Sequence, residues 1–239
     1  ENLFAIGVNR NGGFAEYSYV PQSQVFPMNP SIGFEAMAMA EPLACCIHGI
    51  EQVRLQSGDT VLVIGGGAIG LLMVQLALLR GASRVVLSEP IAQRRNIGLQ
   101  LGACGAIDPN TGDLPAQLRQ ITGRVDADVI IECVGHTRAT AQAVSLAARG
   151  ARILLFSVPK PDATYALPLM DVFQKELHLM GSFINPNSHQ QAVDLLSAGR
   201  IRTDILISHR FGLNEVDKAI AMQMSSESLK VLVLPQQAE

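Results

Sequence analysis

The 239-residue sequence contains no tryptophan and few aromatic residues of any kind, which make up 5% of the chain. Charged residues are also scarce, at 16%, whereas hydrophobic residues reach 48%. Aliphatic side chains must therefore build the core, and this balance excludes an intrinsically disordered chain. The net charge of -3 and the lack of a basic cluster offer nucleic acid no binding surface, so we expect no nucleic-acid partner.

Cysteine is sparse as well, with four residues at Cys45, Cys46, Cys104 and Cys133. None of them forms a Cys-x-x-Cys pair, and a disulfide framework is not expected in a chain of this size and pattern. We expect buried free thiols in a reducing compartment. Because the N-terminus also lacks the charged and apolar regions of a signal peptide, we expect a cytoplasmic protein.

One long apolar run, residues 61–79, approaches the length that is needed to cross a bilayer. Three consecutive glycines, at positions 65–67, divide it into a short strand and a helix. A strand and a helix that are buried on all sides produce the same apolar pattern. We therefore reject a transmembrane segment and expect no membrane partner.

The middle of the chain alternates apolar strand patterns with helix patterns. Strands are predicted at 60–64, 84–88, 105–108, 127–133, 152–156 and 177–183, with helices at 68–80, 92–101, 114–121 and 137–148. This alternation predicts an α/β fold with a doubly wound parallel sheet, right-handed crossovers and helices on both faces.

The two ends of the chain lack this alternation. Residues 1–57 are richer in Gly, Pro and Met and contain one predicted strand, at 16–20. Residues 184–239 contain predicted helices at 190–198 and 213–224 and a last strand at 230–234. We predict that residues 58–183 form one domain and that the two ends belong to a second structural unit.

The hexapeptide 65–70 (GGGAIG) has the G-x-G-x-x-G pattern and lies directly between the first strand and the first helix. In such a turn, Gly65 permits the sharp bend, Gly67 lets the backbone approach a pyrophosphate, and Gly70 lets helix and strand pack closely. This context predicts a Rossmann-type dinucleotide site over the turn.

The helix that starts at Ala68 and Ile69 presents free N–H groups and a partial positive charge to the phosphates. Glu89 ends the second strand, about 20 residues after the last glycine, where a carboxylate accepts from the ribose 2′-OH of NAD and repels the 2′-phosphate of NADP. Arg94 and Arg95 on the next helix could instead neutralise that phosphate. We favour NAD over NADP because of Glu89; the alternative is that Glu89 only caps the helix at 92–101.

Two further segments lie at the ends of strands, on the same edge of the sheet. Residues 132–135 (ECVG) end the fourth strand, and residues 156–158 (FSV) end the fifth. Open α/β sheets bind their ligands outside the carboxyl ends of the strands. The predicted lining residues of the cofactor cleft are Cys133, Val134, Phe156, Ser157 and Val158.

Several of these segments together resemble a known family. The sequence resembles the zinc-dependent medium-chain dehydrogenases in the order and spacing of three segments and one acidic residue. These are residues 12–17 (GGFAEY), 41–44 (EPLA) and 65–70, followed by Glu89. Residues 131–135 and 181–186 agree with the sorbitol and polyol dehydrogenase branch. The resemblance implies a Rossmann sheet beside remnants of a GroES-like, β-rich catalytic domain, formed by residues 1–57 and 184–239.

The resemblance also implies an activity. A secondary alcohol, such as a free or phosphorylated polyol or sugar alcohol, would be interconverted with a ketone by hydride transfer to NAD at a catalytic zinc. It places Glu41 where an acidic residue ligates the zinc directly or through water, although Glu41-Pro42 could equally mark a helix start. The Cys and Gly-His-Glu ligands of the family are not in the sequence, so the chain resembles a fragment that is inactive alone.

The resemblance assigns four more residues to the neighbourhood of substrate and nicotinamide. Cys45 falls where a side chain packs against the nicotinamide. Phe183 ends the sixth strand, and Ile184 and Asn185 follow it. Sorbitol dehydrogenases tend to have Arg and Tyr in place of Ile184 and Asn185, which puts sorbitol itself in doubt as the substrate.

Two other functions stay open at this point. One is a zinc-free quinone or enoyl reductase that uses NADPH, and the other is a module that binds NAD(H) without turnover. The resemblance further implies a homodimer or homotetramer, because residues 177–183 could form an edge strand that pairs across a two-fold axis.

Overall fold

The computed structural model describes residues 6–235. The chain forms two compact units: a central unit, Ala40–Ile201, and a terminal unit made of the segments that end at Met39 and begin at Arg202. The expectations about the extreme ends, including the absent signal peptide, fall partly on residues 1–5 and 236–239, which lie outside the described residues.

The central unit is built on one six-stranded sheet in which every pairing is parallel. Its strands are β1 Thr60–Ile64, β2 Arg84–Ser88, β3 Gly105–Ile107, β4 Ala127–Glu132, β5 Ala147–Leu155 and β6 His178–Gly181. The order β3-β2-β1-β4-β5-β6 confirms the predicted doubly wound Rossmann fold. The strand order reverses between β1 and β4, and open sheets bind their ligands at the carboxyl ends of the strands at this switch point.

Seven helices belong to the central unit. They are α2 Ala40–Gln52, α3 Ala68–Leu79, α4 Ala92–Gln100, α5 Leu114–Thr122, α6 Thr137–Ser145, α7 Leu169–Lys175 and α8 His189–Ser197; α1 Phe34–Met37 precedes them in the terminal unit. Helix α8 coincides with the predicted helix at 190–198 to within one residue at each end.

The core lies around β1 and α3, which together account for the long apolar run in the sequence. All five residues of β1 are buried, and α3 is buried continuously over residues 70–77. Each fully buried aliphatic side chain contributes about 1.5–3 kcal/mol relative to exposure, so this pair contributes strongly to the stability of the fold. Within residues 6–235, no helix combines the length and apolar character that a bilayer span requires.

Strand β5 departs from the predicted pattern. It begins at Ala147 rather than at residue 152, and α6 ends at Ser145, three residues earlier than predicted. The pairing with β4 shifts register, since Ala127 pairs with Ala147 whereas Val129 pairs with Arg152. A bulge that includes Gly150, at φ +71°, absorbs the extra residues, and hydrophobic periodicity does not reveal it.

The terminal unit contains a two-stranded parallel sheet of β7 Ile207–Gly212 and β8 Lys230–Leu234, with α9 Val216–Gln223 between them. The predicted helix at 213–224 divides into a 3-10 turn, Leu213–Glu215, and α9. The predicted strand at 16–20 is wrong, because residues 16–20 pair with no strand in the described structure. The side chains of Tyr17 and Tyr19 are 85% and 92% exposed.

The central unit is longer at both ends than the predicted domain at 58–183. Helices α2 and α8 both belong to it, and the buried Ser188 hydroxyl donates to the Ala44 carbonyl at 2.8 Å to join them. The assignment of the chain ends to a catalytic domain stays a prediction.

All four cysteines are free thiols. Cys46 is buried, and Cys45 and Cys133 are half-buried, but Cys104 is exposed. The expectation of buried thiols is therefore wrong for Cys104, which lies directly before β3 at the edge of the sheet.

Candidate functional site

The glycine turn between β1 and α3 has the shape that its sequence predicts. Gly65 adopts φ +102°, and a Cβ there would lie 2.8 Å from Cγ2 of Val134. A Cβ on Gly70 would overlap the carbonyl oxygen of Gly65, so strand and helix could not pack as closely with any other residue. A Cβ on Gly67, in contrast, would meet no atom within 4 Å. The space beside Gly67 is therefore open to a ligand.

Helix α3 begins at this opening without a side-chain cap. Its N-cap residue is Gly67, which has no side chain to accept from the first amides, and Ala68 and Ile69 form the first turn. The first amides of a helix have no partner within the helix and carry partial positive charge. An anion such as a pyrophosphate is the partner that this helix end favours.

Glu89 follows β2 and is buried, with 3% of its surface exposed. Its Oε2 accepts from the amide of Gly66 at 2.6 Å, and its Oε1 accepts from the amide of Ile91 at 2.8 Å. Glu89 therefore braces both the glycine turn and the segment that starts α4. A carboxylate can accept about four hydrogen bonds, so two acceptor positions are left for hydroxyl groups.

A cavity of about 450 Å³ lies at the switch point between the glycine turn, the end of β2 and the segment after β4. Six residues that the sequence predicts for cofactor binding line it: Gly65, Gly67, Glu89, Arg94, Cys133 and Val134. The volume falls in the range of small-molecule and cofactor sites.

Sequence reasoning missed other lining residues, among them Asn110, His136, Arg138 and Gln142. His136 caps α6, and its Nδ1 accepts from the amide of Arg138 at 3.1 Å. Asn110 and His136 lie just after the ends of β3 and β4, so the carboxyl-edge rule that selected Cys133 and Val134 could have found them. Arg138 and Gln142 lie in α6, where that rule does not apply.

The two adjacent arginines of α4 have different surroundings. Arg94 lines the cavity. Arg95 instead donates to the Glu89 carbonyl at 2.7 Å and forms an ion pair with Asp108 at 3.1 Å. Of the pair, Arg94 is therefore the one that lines the cavity, and Arg95 holds the backbone of the Glu89 segment.

The predicted residues after β5 lie outside the walls of this cavity. The Ser157 hydroxyl donates to Oε2 of Glu132 at 2.6 Å, and the side chain of Val158 is 93% exposed. The ring of Phe156 packs on α2, where a Cβ on Gly49 would come within 2.7 Å of it. Gly70, in α3, also does not line the cavity.

A second group of predicted residues meets around Glu41, in the first turn of α2. Oε1 of Glu41 accepts from the Cys45 thiol at 3.3 Å and from Nδ2 of Asn185 at 3.4 Å. Burial and then the Glu41 carboxylate raise the pKa of the Cys45 thiol to about 12. Cys45 therefore stays a neutral donor near pH 7. The fold brings together three residues that the family resemblance had assigned to the active site.

The two other predicted residues of this group lie beside Asn185. The ring of Phe183 is 69% exposed, and Ile184 adopts a left-handed backbone conformation with φ +52°. A branched residue rarely adopts this conformation. The segment after β6 therefore turns sharply before Asn185.

A metal would need more ligands than this group supplies. Among residues 6–235, no three His, Cys, Asp or Glu side chains are arranged to hold a metal ion. A catalytic zinc needs about three protein ligands, and Glu41 is the one acidic ligand that the described group around it provides. The described residues alone do not fit a zinc ion.

Comparisons with known proteins identify the family to which this Rossmann sheet is similar. Residues 68–198, more than half of the chain, match the family model described as zinc-binding dehydrogenase. D-arabinitol dehydrogenase 1 of Uromyces fabae is 32% identical over 238 residues, which cover 98% of this chain and 68% of that protein.

Two solved structures superpose closely on the chain. One is described as a zinc-binding dehydrogenase of Sinorhizobium meliloti 1021 bound to NADP, with a TM-score of 0.92, 39% identity, and coverage of 98% of this chain and 69% of that one. The other is described as a short chain alcohol dehydrogenase of Escherichia coli CFT073 in complex with NADH, with a TM-score of 0.89, 28% identity, and coverage of 96% and 68%. The chain spans about two thirds of the length of these relatives.

Proposed function

The chain belongs to the zinc-binding dehydrogenase family, and on that basis we propose that it binds a nicotinamide dinucleotide for the interconversion of a secondary alcohol and a ketone. The observation that carries this proposal is the open glycine turn at the switch point of the sheet. There, the uncapped amides of α3, the buried carboxylate of Glu89 and a cofactor-sized cavity meet.

The pyrophosphate would lie over Gly67, where no protein atom fills the space. The amides at Ala68 and Ile69 would donate to its oxygens, and the N-terminal partial charge of α3 would add to the attraction. The close packing at Gly70 supports this arrangement indirectly, because it holds α3 directly behind the turn.

Glu89 and Arg94 determine which dinucleotide is preferred. The two free acceptor positions of the Glu89 carboxylate suit the ribose hydroxyls of NAD, and its charge disfavours a 2′-phosphate. Arg94 lines the same cavity and is the group that would favour NADP. Structures of similar proteins are described with each form, NADP in one and NADH in the other. We favour NAD, because the carboxylate directly contacts the glycine turn.

When bound, the cofactor supplies the hydride chemistry, by accepting or donating a hydride at the nicotinamide. The residues of this chain bind and orient it. Cys133 and Val134 form one wall of the cavity, and Phe156, Ser157 and Val158 lie on the neighbouring strand end. Glu41, Cys45 and Asn185 form the polar group that we assign to the substrate side.

We infer that Glu41 contributes to a zinc site only where further ligands join it. The family name makes zinc the expected metal. The group around Glu41 supplies a carboxylate, a neutral thiol and an amide, which do not hold zinc by themselves. We therefore expect this chain alone to bind zinc weakly and to be inactive in alcohol oxidation.

A polyol or sugar alcohol is the substrate class that we propose. D-arabinitol dehydrogenase 1 is a relative over nearly the whole chain. Asn185 reaches Glu41 and offers an amide to a substrate hydroxyl, while Ile184 turns the backbone beside it. Sorbitol dehydrogenases are expected to have Arg and Tyr where this chain has Ile184 and Asn185. We therefore propose a polyol other than sorbitol.

Calorimetric titration of the chain with NADH and NADPH tests the cofactor proposal. We expect one NADH per chain, weaker binding of NADPH, and a rise in melting temperature with NADH. A ligand at 100 times its Kd stabilises a fold by about 2.7 kcal/mol, which a thermal melt detects easily.

Titration with both NADH and NADPH tests the existence of the dinucleotide site separately from its preference for NAD. Tighter binding of NADPH would overturn the NAD preference and leave the site in place. If neither nucleotide produced heat or a thermal shift, the dinucleotide site itself would be wrong.

A further inference from the structure

Glu132 is a second buried carboxylate at the switch point, with 2% of its surface exposed at the end of β4. Its Oε1 accepts from the amides of Val134 and Gly135 at 2.6 and 2.9 Å. Its Oε2 accepts from the hydroxyl of Ser157 at 2.6 Å. All three donors are neutral.

Burying an ionised carboxylate is costly unless several hydrogen bonds compensate for the lost water. Apolar packing alone would tolerate a hydrophobic residue at the end of β4, so the buried carboxyl group at position 132 points to a requirement for its three hydrogen bonds. These bonds join two segments that are not adjacent in sequence, the turn after β4 and the segment after β5.

The two joined segments also touch directly. Gly135 adopts φ +78°, and a Cβ there would lie 3.0 Å from the carbonyl oxygen of Val158. On the other side, Val134 packs against Gly65 of the glycine turn. Glu132 therefore fixes one wall against the glycine turn and couples that wall to the end of β5.

Glu89 and Glu132 occupy equivalent places on opposite sides of β1. Each follows or ends a strand next to β1, each is buried, and each accepts from two backbone amides. A doubly wound sheet consists of two mononucleotide-binding halves, and the acidic residue after the second strand bonds the adenosine ribose. Because Glu89 follows β2, the proposed site places adenosine on the side of β2 and nicotinamide on the side of β4. Glu89 thus lies in the adenosine half, and Glu132 lies in the nicotinamide half.

We infer that Glu132 is a positioning residue for the nicotinamide half of the cofactor. It acts through the segments 133–135 and 156–158, which it clamps together, and it does not itself need to touch the ligand. This inference rests on the proposed dinucleotide site. The clamp predicts that Glu132 matters for ligands that contain nicotinamide and matters little for ligands that lack it.

Binding of NADH and of ADP-ribose to the same variants tests the inference, because ADP-ribose lacks the nicotinamide. For Glu132→Ala we expect affinity for NADH to fall about tenfold, the effect of losing one to two net hydrogen bonds, while affinity for ADP-ribose changes less than about twofold. The fluorescence enhancement of bound NADH should also fall, since it reports on the nicotinamide surroundings.

Two further variants make the test specific. Glu132→Gln should restore most of the NADH affinity, because its amide oxygen can accept from the two amides and its NH₂ group can donate to Ser157. Ser157→Ala removes only the link to β5 and should weaken NADH binding several-fold with ADP-ribose unchanged. If Glu132→Ala does not fold, as judged by circular dichroism, Ser157→Ala decides the question.

Asp128→Asn is the matched control, because Asp128 lies at the other end of β4 and also accepts from a backbone amide. It should leave the ratio of the two affinities unchanged. Equal losses for NADH and ADP-ribose in the Glu132 and Ser157 variants, or no loss in either, would overturn the inference. Failure of the unaltered chain to bind both ligands would instead refute the proposed function.

Discussion

Gly67 and Gly70 belong to the same turn but are constrained for different reasons. A Cβ on Gly70 would overlap the carbonyl of Gly65, whereas a Cβ on Gly67 would meet no atom within 4 Å. Gly67 also has an extended backbone, with φ -71° and ψ 179°, which alanine adopts without strain. Any requirement for glycine at position 67 must therefore come from a ligand and not from the polypeptide.

A pair of alanine variants separates these two requirements. Gly70→Ala should lose about 1–3 kcal/mol of unfolding free energy, the usual cost of overpacking. Gly67→Ala should stay within about 1 kcal/mol of the unaltered chain, since the change at the N-cap is small. It should nevertheless bind NADH at least several-fold more weakly. Urea denaturation and NADH titration measure both effects, and unchanged NADH binding in Gly67→Ala would mean that no pyrophosphate lies over this turn.

Local sequence was sufficient to predict the glycine turn and Glu89, because each is defined by its distance from a strand end. The double contact of Glu89 with Gly66 and Ile91 was not predictable, since either contact alone fits the same spacing. The separation of Arg94 from Arg95 depends on Asp108, which lies 13 residues beyond Arg95 and meets it only in the folded sheet.

At the level of elements, the amino end of β4 is held by Asp128. Its Oδ2 accepts from the amide of Thr60 in β1 at 2.9 Å and from Arg124 at 2.8 Å. Burial raises the pKa of Asp128, but the hydrogen bonds from Arg124 and Thr60 outweigh this effect and hold the pKa below the usual 3.8. The ionised form is therefore the one that stabilises the pairing of β1 with β4.

This shift predicts a pH-dependent effect of Asp128→Asn. Because the folded pKa lies below the unfolded value, the contribution of Asp128 is fully present above about pH 4 and is lost as the pH falls through the folded pKa. At pH 7 the variant should lose about 1 kcal/mol of unfolding free energy. The difference from the unaltered chain should shrink in urea melts at pH 3. An equal difference at both pH values would contradict this assignment.

Hydrophobic periodicity predicted the six strands of the sheet because each is short, apolar and bounded by polar or glycine residues. It did not predict the early start of β5, since the shifted pairing between Ala127 and Ala147 depends on the neighbouring strand. It also assigned a strand to residues 16–20, where a local β pattern is present but no ladder forms within the described structure.

At the level of the whole molecule, composition indicated that the chain has more than one unit but not where the units meet. Residues 40–57 and 184–201 look unlike the βαβ region in sequence, yet they belong to the central unit. The reason is the packing of α2 on α8, which joins segments about 140 residues apart through the Ser188 bond to Ala44. Short-range patterns carry no information on such a contact.

Strand β6 lies at the edge of the six-stranded sheet, as the sequence predicted, and pairs on one side with β5. Helix α7, which precedes it, exposes large apolar side chains, with Leu169 at 75% and Phe173 at 78%. An unpaired strand edge beside exposed apolar surface favours pairing with another chain. We expect a homodimer, or a homotetramer built from it, through this edge.

Gly181→Lys tests this expectation, because a lysine on an edge strand disfavours strand pairing and a Cβ at Gly181 meets no atom within 4 Å. Light scattering should give at least twice the 25.6 kDa chain mass for the unaltered protein and a shift toward the single-chain mass for the variant. Gly13→Lys, at another glycine with open space beside it, should keep the oligomer. A single-chain mass for the unaltered protein at all concentrations would exclude pairing through β6.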